Sequence, residues 1–182
     1  MATVCASGKV CELQLGKAGM GNSANILKYQ LAVADARRGD DSLKLAHRVR
    51  HLGDAYYYAG RLEFAEPCYL EALAIYRGHE SPKPLDLANA IRSFAVLKQE
   101  VGAIEEAKEL WQEAHDMYAT LNILAGVAGS AARLALIAQH QGNLQRSREL
   151  LNEATTAADA SADSEVLDYI REVAARMNPS SK

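Results

Sequence analysis

Apolar residues recur along this chain with i, i+3, i+4 spacing, in blocks that end at a glycine. Leu45, Val49, Leu52, Gly53 and Tyr56 make one such stripe, the signature of an amphipathic helix with one face in a core. Leu62, Ala65, Tyr69, Ala72, Leu73 and Tyr76 make the next. Further on, Leu87, Ile91, Phe94, Ala95 and Leu97 precede Ile104, Ala107, Leu110, Trp111 and Ala114. The pattern predicts helices in pairs. Gly60 separates the first pair and predicts a tight turn, because glycine reaches φ > 0 without steric cost. Gly78 and the SPKP run at 81–84 predict the end of that pair.

The pairs repeat. Gly60, Gly102 and Gly142 sit in the related segments YYYAGRLEFAE, KQEVGAIEEAK and AQHQGNLQRSR, separated by 42 and 40 residues. Each is followed by a large residue with an alanine three further on: Tyr69 and Ala72, Trp111 and Ala114, Leu151 and Ala154. Tyr29 and Ala32 repeat the same pair 40 residues before Tyr69 and Ala72. A fixed period of this size marks a stack of supersecondary units. Small alanines let paired helices approach to the usual interaxial distance of about 8–10 Å. The expected layout is one repeat domain over 23–177, with residues 1–22 either a disordered leader, the favoured reading, or part of a longer repeat array. Within it lie a half repeat at 23–39, repeats at 42–79, 85–121 and 124–160, and a capping helix at 163–177 N-capped by Asp163. Residues 178–182 form a tail.

LGDAYYYAGRLEFAEPCYLEALAIY resembles the tetratricopeptide repeat, with Leu52, Gly53, Tyr56, Ala65, Tyr69 and Ala72 at its signature positions. The second unit departs from the pattern at Phe94, Ala95 and Lys98 but keeps Ala107, Trp111 and Ala114. The third offers Leu134, Ala135 and Ala138, then Ser147, Leu151 and Ala154. The 40–42-residue period is similar to the kinesin-light-chain-like subclass. The resemblance implies an all-α fold, a right-handed α-solenoid of helix–turn–helix units.

Composition removes several functions from consideration. A net charge of −3 over 182 residues lacks the basic surplus of nucleic-acid modules. Cys5, Cys11 and Cys68 are odd in number, fit no C-x-x-C or zinc spacing and suit a reducing, cytoplasmic setting, with Cys68 expected to be a small buried hydrophobe. The segment 121–138 is rich in small apolar residues, but Asn122, Ser130 and Arg133 interrupt it, so no membrane span is expected. The N-terminal MATVCASGKVCELQL lacks the features of a signal peptide. GKAGMG at 16–21 places its lysine at the wrong end for a phosphate loop. His47 and His51 have a zinc-compatible i, i+4 spacing, yet neither a third ligand nor an H-E-x-x-H glutamate accompanies them. No catalytic residues, metal or cofactor are expected, and the chain reads as a non-enzyme.

What remains is the inner surface that the resemblance implies, lined by the first helix of each repeat. Family positions fall on His47, Arg50, Asp54, Tyr57 and Tyr58 in the first repeat. In the second they fall on Asn89, Arg92, Val96, Gln99 and Glu100. In the third they fall on Gly129, Ala132, Leu136, Gln139 and His140, with Arg133 one residue off. On this reading Tyr56 joins the core while Tyr57 and Tyr58 face the groove. Arg50, Arg92 and Arg133 would form a cationic ladder suited to an extended peptide with acidic and apolar side chains. Solvation, or pairing with Asp54 and Glu100, is the competing fate of these arginines. Arg50 and Asp54 replace the lysine and asparagine of the chaperone-tail carboxylate clamp, which argues against that ligand. The expected function is a non-catalytic adaptor that binds a protein or peptide in its groove. The alternative is self-association, possible as a homodimer, through the apolar face of ANILKYQLAV in the half repeat.

Overall fold

The structure, a computed structural model, describes residues 18–177. Cys5, Cys11, the greater part of the expected leader and the tail at 178–182 lie outside the described residues. Eight helices and no strand are found among the described residues. The fold class is all-α, of the helical-repeat solenoid kind. The chain divides into two compact units, the boundary falling between Ile75 and Tyr76.

The first unit holds α1 (Ala18–Ala36), α2 (Ser42–Tyr58) and most of α3 (Leu62–Gly78). Helix α1 begins five residues before the expected start of the half repeat at 23. Its Ile26, Val33 and Ala36 are buried, at the period of a single helix face. The Asp41 carboxylate accepts from the Lys44 amide at 2.9 Å and caps α2. Gly53 is fixed by packing, since a Cβ there would lie 2.8 Å from Tyr69 Cε1. The aromatic ring of α3 thus rests on the bare backbone of α2. Arg37, the residue after α1, reaches both carboxylate oxygens of Glu71 in α3 at 2.8 Å.

The second unit contains α4 (Pro84–Glu100), α5 (Ile104–Thr120), α6 (Leu124–His140), α7 (Leu144–Ser161) and α8 (Ser164–Met177). Arg77, in the last turn of α3, holds Glu113 of α5 at 2.7 Å. This matches the Arg37–Glu71 pair one repeat earlier, so α1 occupies the place of a repeat's second helix. Pro84 opens α4 at its first turn, where its missing N–H costs nothing. Gly78 remains within α3 as its last residue rather than serving as a left-handed stop.

The three predicted turn glycines have φ of 72°, 81° and 77° at Gly60, Gly102 and Gly142. After each, an amide returns to the preceding helix: Arg61 to Tyr56 O, Ala103 to Lys98 O and Asn143 to Ala138 O, all 2.9 Å. That six-to-one bond satisfies an otherwise orphaned carbonyl. Asn122 makes the same turn between α5 and α6 at φ 55°. Ser147 replaces the alanine of the other two repeats, and its hydroxyl donates to Ala135 O at 2.9 Å in the buried α6–α7 contact. Helix α8 is N-capped by Asp163, which accepts from Glu165 and Val166. Its Ile170, Val173 and Met177 are buried.

Candidate functional site

Helices α4, α5, α6 and α8 of the second unit border an open cleft of about 450 Å³. Helix α4 contributes Asn89, Arg92 and Val96, and α6 contributes Gly129 and Arg133. These five positions are ones that the sequence pattern assigned to a groove. Trp111 and Tyr118 of α5 and Tyr169 of α8 also reach it. Tyr169 is half-buried, beside the buried face made by Ile170, Val173 and Met177. Its place one residue off that face is the signal that could have revealed it.

The cleft is held open by a chain of contacts. A Cβ at Gly126 would run into the Tyr118 ring, so glycine lets that ring lie on α6. The Tyr118 hydroxyl donates to Asn89 Oδ1 at 2.8 Å. With its oxygen so engaged, the Asn89 amide has its N–H groups left to donate. Arg133 lies between two rings, its guanidinium carbon 5.9 Å from the Trp111 centroid and 5.5 Å from that of Tyr169. Both distances fall within the range for cation–π attraction. Trp111 is oriented in turn by Gln99, whose Oε1 accepts from its indole N–H at 3.1 Å.

Among the described residues, neither Arg92 nor Arg133 has a hydrogen-bond or ion-pair partner, and no carboxylate lines the cleft. The buried Tyr169 hydroxyl has no partner either. Burial raises the Tyr169 pKa, against the opposing pull of Arg133 and Arg176, so the phenol stays a donor at neutral pH. The lining thus carries two guanidinium groups and an amide as donors, with the Tyr169 hydroxyl enclosed and unpartnered.

The first repeat is different. Arg50 is buried at 8% exposure, and its Nη1 donates to Asp54 Oδ2 at 2.9 Å. Its Nη2 donates to His51 Nε2 at 2.8 Å. The Tyr69 hydroxyl donates to the other Asp54 oxygen at 2.9 Å, and burial together with the Asp54 charge raises its pKa. Arg50, expected as the first rung of a cationic ladder, is therefore engaged inside its own helix. His47 and His51 stand edge to face, with Nε2 atoms 3.3 Å apart, and His51 stacks on Tyr29. Tyr56, expected in the core, is half-buried; its hydroxyl accepts from Gln30 Nε2 at 2.8 Å and its ring meets Phe64. Tyr57 is half-buried and packs edge to face with Tyr58, which is 77% exposed.

The remaining positions are dispersed. Gln139 donates to the Met177 carbonyl at 3.1 Å and ties the end of α8 to α6. His140 is exposed at the end of α6, and Ala132 is fully buried. No cluster of three or more His, Cys, Asp or Glu suited to a metal occurs among the described residues. No helix of the described residues is long and apolar enough to cross a membrane.

The tetratricopeptide repeat family model matches residues 45–82, the α2–α3 repeat. No curated protein matches the sequence. Among solved structures, BtubC (BKLC) from P. vanneervenii is similar over 87% of this chain and 66% of its own, at 21% identity and a TM-score of 0.71. The apo form of RapI is similar over 88% of this chain and 45% of its own, at 18% identity and a TM-score of 0.71. Aspartyl phosphate phosphatase F from Bacillus subtilis is similar over 87% and 48%, at 14% identity and a TM-score of 0.66. This chain thus spans no more than about two thirds of any of these three proteins. At these identities the likeness establishes the shared helical-repeat fold.

Proposed function

We propose that this tetratricopeptide-repeat protein is a non-catalytic interaction module that binds a peptide segment of another protein in the α4–α5–α6–α8 cleft. The observation that carries this reading is the one-sided chemistry of the lining. Arg92, Arg133 and Asn89 offer donors, and no carboxylate in the lining neutralises them. A surface of donors beside aromatic rings suits a segment with acidic and apolar side chains. Each charge-assisted bond, where shielded, contributes about 1.5–3 kcal/mol.

The test is to pan a displayed library of 12-residue peptides against the full chain and against its Arg92→Glu/Arg133→Glu variant, with circular dichroism confirming the variant's helices. Enrichment of Asp- and Glu-bearing sequences by the wild type alone supports the reading. Enrichment without acidic residues, or equal enrichment by both proteins, would sink it.

A second reading has its own observation. Leu27 and Leu31 lie one turn apart on α1 and are 56% and 63% exposed. Such a face suits self-association, as a homodimer or with a further helix. Light scattering across a concentration series tests it: a mass that stays monomeric at high concentration removes the homodimer.

A further inference from the structure

Glu71, Glu113 and Glu153 hold one place in three successive second helices, two residues after Tyr69, Trp111 and Leu151. Each meets a basic side chain of the preceding repeat: Arg37 at 2.8 Å, Arg77 at 2.7 Å and His115 at 3.0 Å. On α1 the same place, two residues after Tyr29, belongs to Leu31, which is 63% exposed. Leu27, one turn earlier, is exposed as well. The side of α1 that a preceding repeat would cover is therefore apolar, and it lacks the acceptor that joins the other repeats. An apolar cover suits it instead. Helix α8 of another copy does not offer one, because its exposed positions include Glu165, Asp168, Arg171, Glu172 and Arg176. Head-to-tail stacking of copies would set leucines against ions, at a cost in desolvation. A contact of α1 with α1 sets apolar surface on apolar surface.

Successive helix residues are about 100° apart, which makes Leu31 the crest of the outer face of α1. Leu27 and Ala34 fall on one flank of that crest, Lys28 and Asp35 on the other, and all four are exposed. We propose that two copies of this chain pair antiparallel through α1, about a two-fold axis passing beside Leu31. Such an axis lays each flank on the same flank of the second copy with its ends reversed. Leu31 then meets Leu31, Leu27 meets Ala34, and Lys28 meets Asp35 at two symmetric places. A parallel pair would lay the leucine flank of one copy on the charged flank of the other. Asp35 now pairs with Arg38 at 3.1 Å, but both side chains are largely exposed, so exchanging that partner costs little. This inference rests on the reading of the α1 face as a self-association surface, and it specifies the partner and the orientation. One helix face buries less than the roughly 1,200 Å² of a stable interface, so the dimer is a weak one, with a Kd on the order of 10–100 µM.

The experiment is sedimentation equilibrium of the full chain from about 5 to 500 µM, a range that brackets this Kd, in about 50 mM salt to limit screening. Circular dichroism confirms the helices of each variant. Leu31→Glu restores to α1 the residue type of the other repeats and should weaken the dimer at least tenfold. Lys28→Glu and Asp35→Lys each turn two attractive pairs into two repulsive ones and should weaken it at least about fivefold. Mixed in equal amounts, these two variants regain both pairs and should associate within about threefold of the wild type. Bulk attraction does not explain such a recovery, because both variants keep a net negative charge.

A wild-type dimer that is lost in Leu31→Glu, yet either ignores the charge variants or stays weak in their mixture, would overturn the antiparallel pairing. The reading of α1 as a self-association surface would survive that result. A wild-type chain that is monomeric at 500 µM, or a dimer indifferent to Leu31→Glu, would overturn both.

Discussion

Arg50 and Arg92 stand at the same place in consecutive repeats, 42 residues apart, yet their guanidinium groups have opposite fates. In the first repeat the residue one turn later is Asp54, which binds Arg50 at 2.9 Å while accepting from Tyr69. In the second repeat that position is Val96, and Arg92 is exposed without an ion-pair partner. A single i+4 residue therefore separates an arginine that organises helix packing from one available to a ligand. A count of arginines along a groove treats them as equal. The structure divides them by what their own helix offers first.

The sharpest way to break this comparison is to remove the partner that engages Arg50. Asp54→Val gives the first repeat the residue found in the second, at a half-buried position beside the buried Arg50. It leaves Arg50 without its carboxylate and Tyr69 without an acceptor, with an expected loss of about 2–3 kcal/mol. Urea denaturation measures this, and a loss below about 0.5 kcal/mol, the usual range of surface substitutions, would show that Arg50 is readily rehydrated. Asp54→Asn should lie between, because its amide oxygen can still accept from Tyr69.

Much of this architecture was legible in the sequence. The glycine period located three turns, and the Tyr/Trp/Leu–Ala pairs located the second helices, because both follow from local geometry and close packing. Asn122 escaped because asparagine enters the left-handed region less often than glycine and carries less signal. The site was legible only in part. Counting repeat positions brought Asn89, Arg92 and Gly129 to the cleft, with Arg133 one residue off. It could not show that Asp54 would accept from both Arg50 and Tyr69, since that depends on an α2–α3 contact 15 residues apart. Nor could it bring Tyr169 of the capping helix beside Arg133, because α8 stands outside the period that made the other positions countable.

The glycines extend the comparison to packing. Gly53 lies against Tyr69 in the first unit, and Gly126 lies against Tyr118 in the second. Alanine at either should displace a buried ring and cost about 1–3 kcal/mol. Thermal melts of Gly53→Ala and Gly126→Ala check this. Equal stability to wild type would mean that the rings move aside and that glycine is not what sets these contacts.

The converse transplant is milder for folding and sharper for function. Val96→Asp places a carboxylate one turn beyond Arg92, in the relation that Asp54 bears to Arg50. On a partly exposed helix the new pair should change stability by no more than about 0.5 kcal/mol. It should lower affinity for an acidic peptide about tenfold, through internal competition for Arg92 and repulsion of the ligand. Fluorescence anisotropy with the acidic pentapeptide Ala-Leu-Glu-Leu-Ala-NH2, carrying its fluorophore on the N-terminal amine, measures the effect. Unchanged affinity would show that Arg92 holds no part of the ligand, leaving Arg133 as the cation in use.

The smallest expected effect reports on the rigidity of the first repeat. Cys68, expected to be buried, is half-buried and lies beside Gly53, where a Cβ on that glycine would stand 3.2 Å from the Cys68 Cβ. Burial chiefly, and the nearby Glu71, push its thiol pKa up from 9.0 to about 11 against the pull of Arg37. Because the folded pKa is raised, the protonated thiol's contribution to stability is present below about pH 9 and falls away as pH rises towards 11. At pH 8 the folded protein should hold roughly a hundredfold less thiolate at Cys68 than the unfolded chain. Iodoacetamide labelling, followed by peptide mass mapping so that Cys68 is read apart from the other cysteines, should be correspondingly slow. If the Arg50–Asp54–Tyr69 bonds keep α2 and α3 together, Asp54→Val should accelerate this labelling while Val96→Asp leaves it unchanged. Equal acceleration by both would mean that Cys68 reports general loosening, and the contrast between the two arginines would then be one of exposure alone.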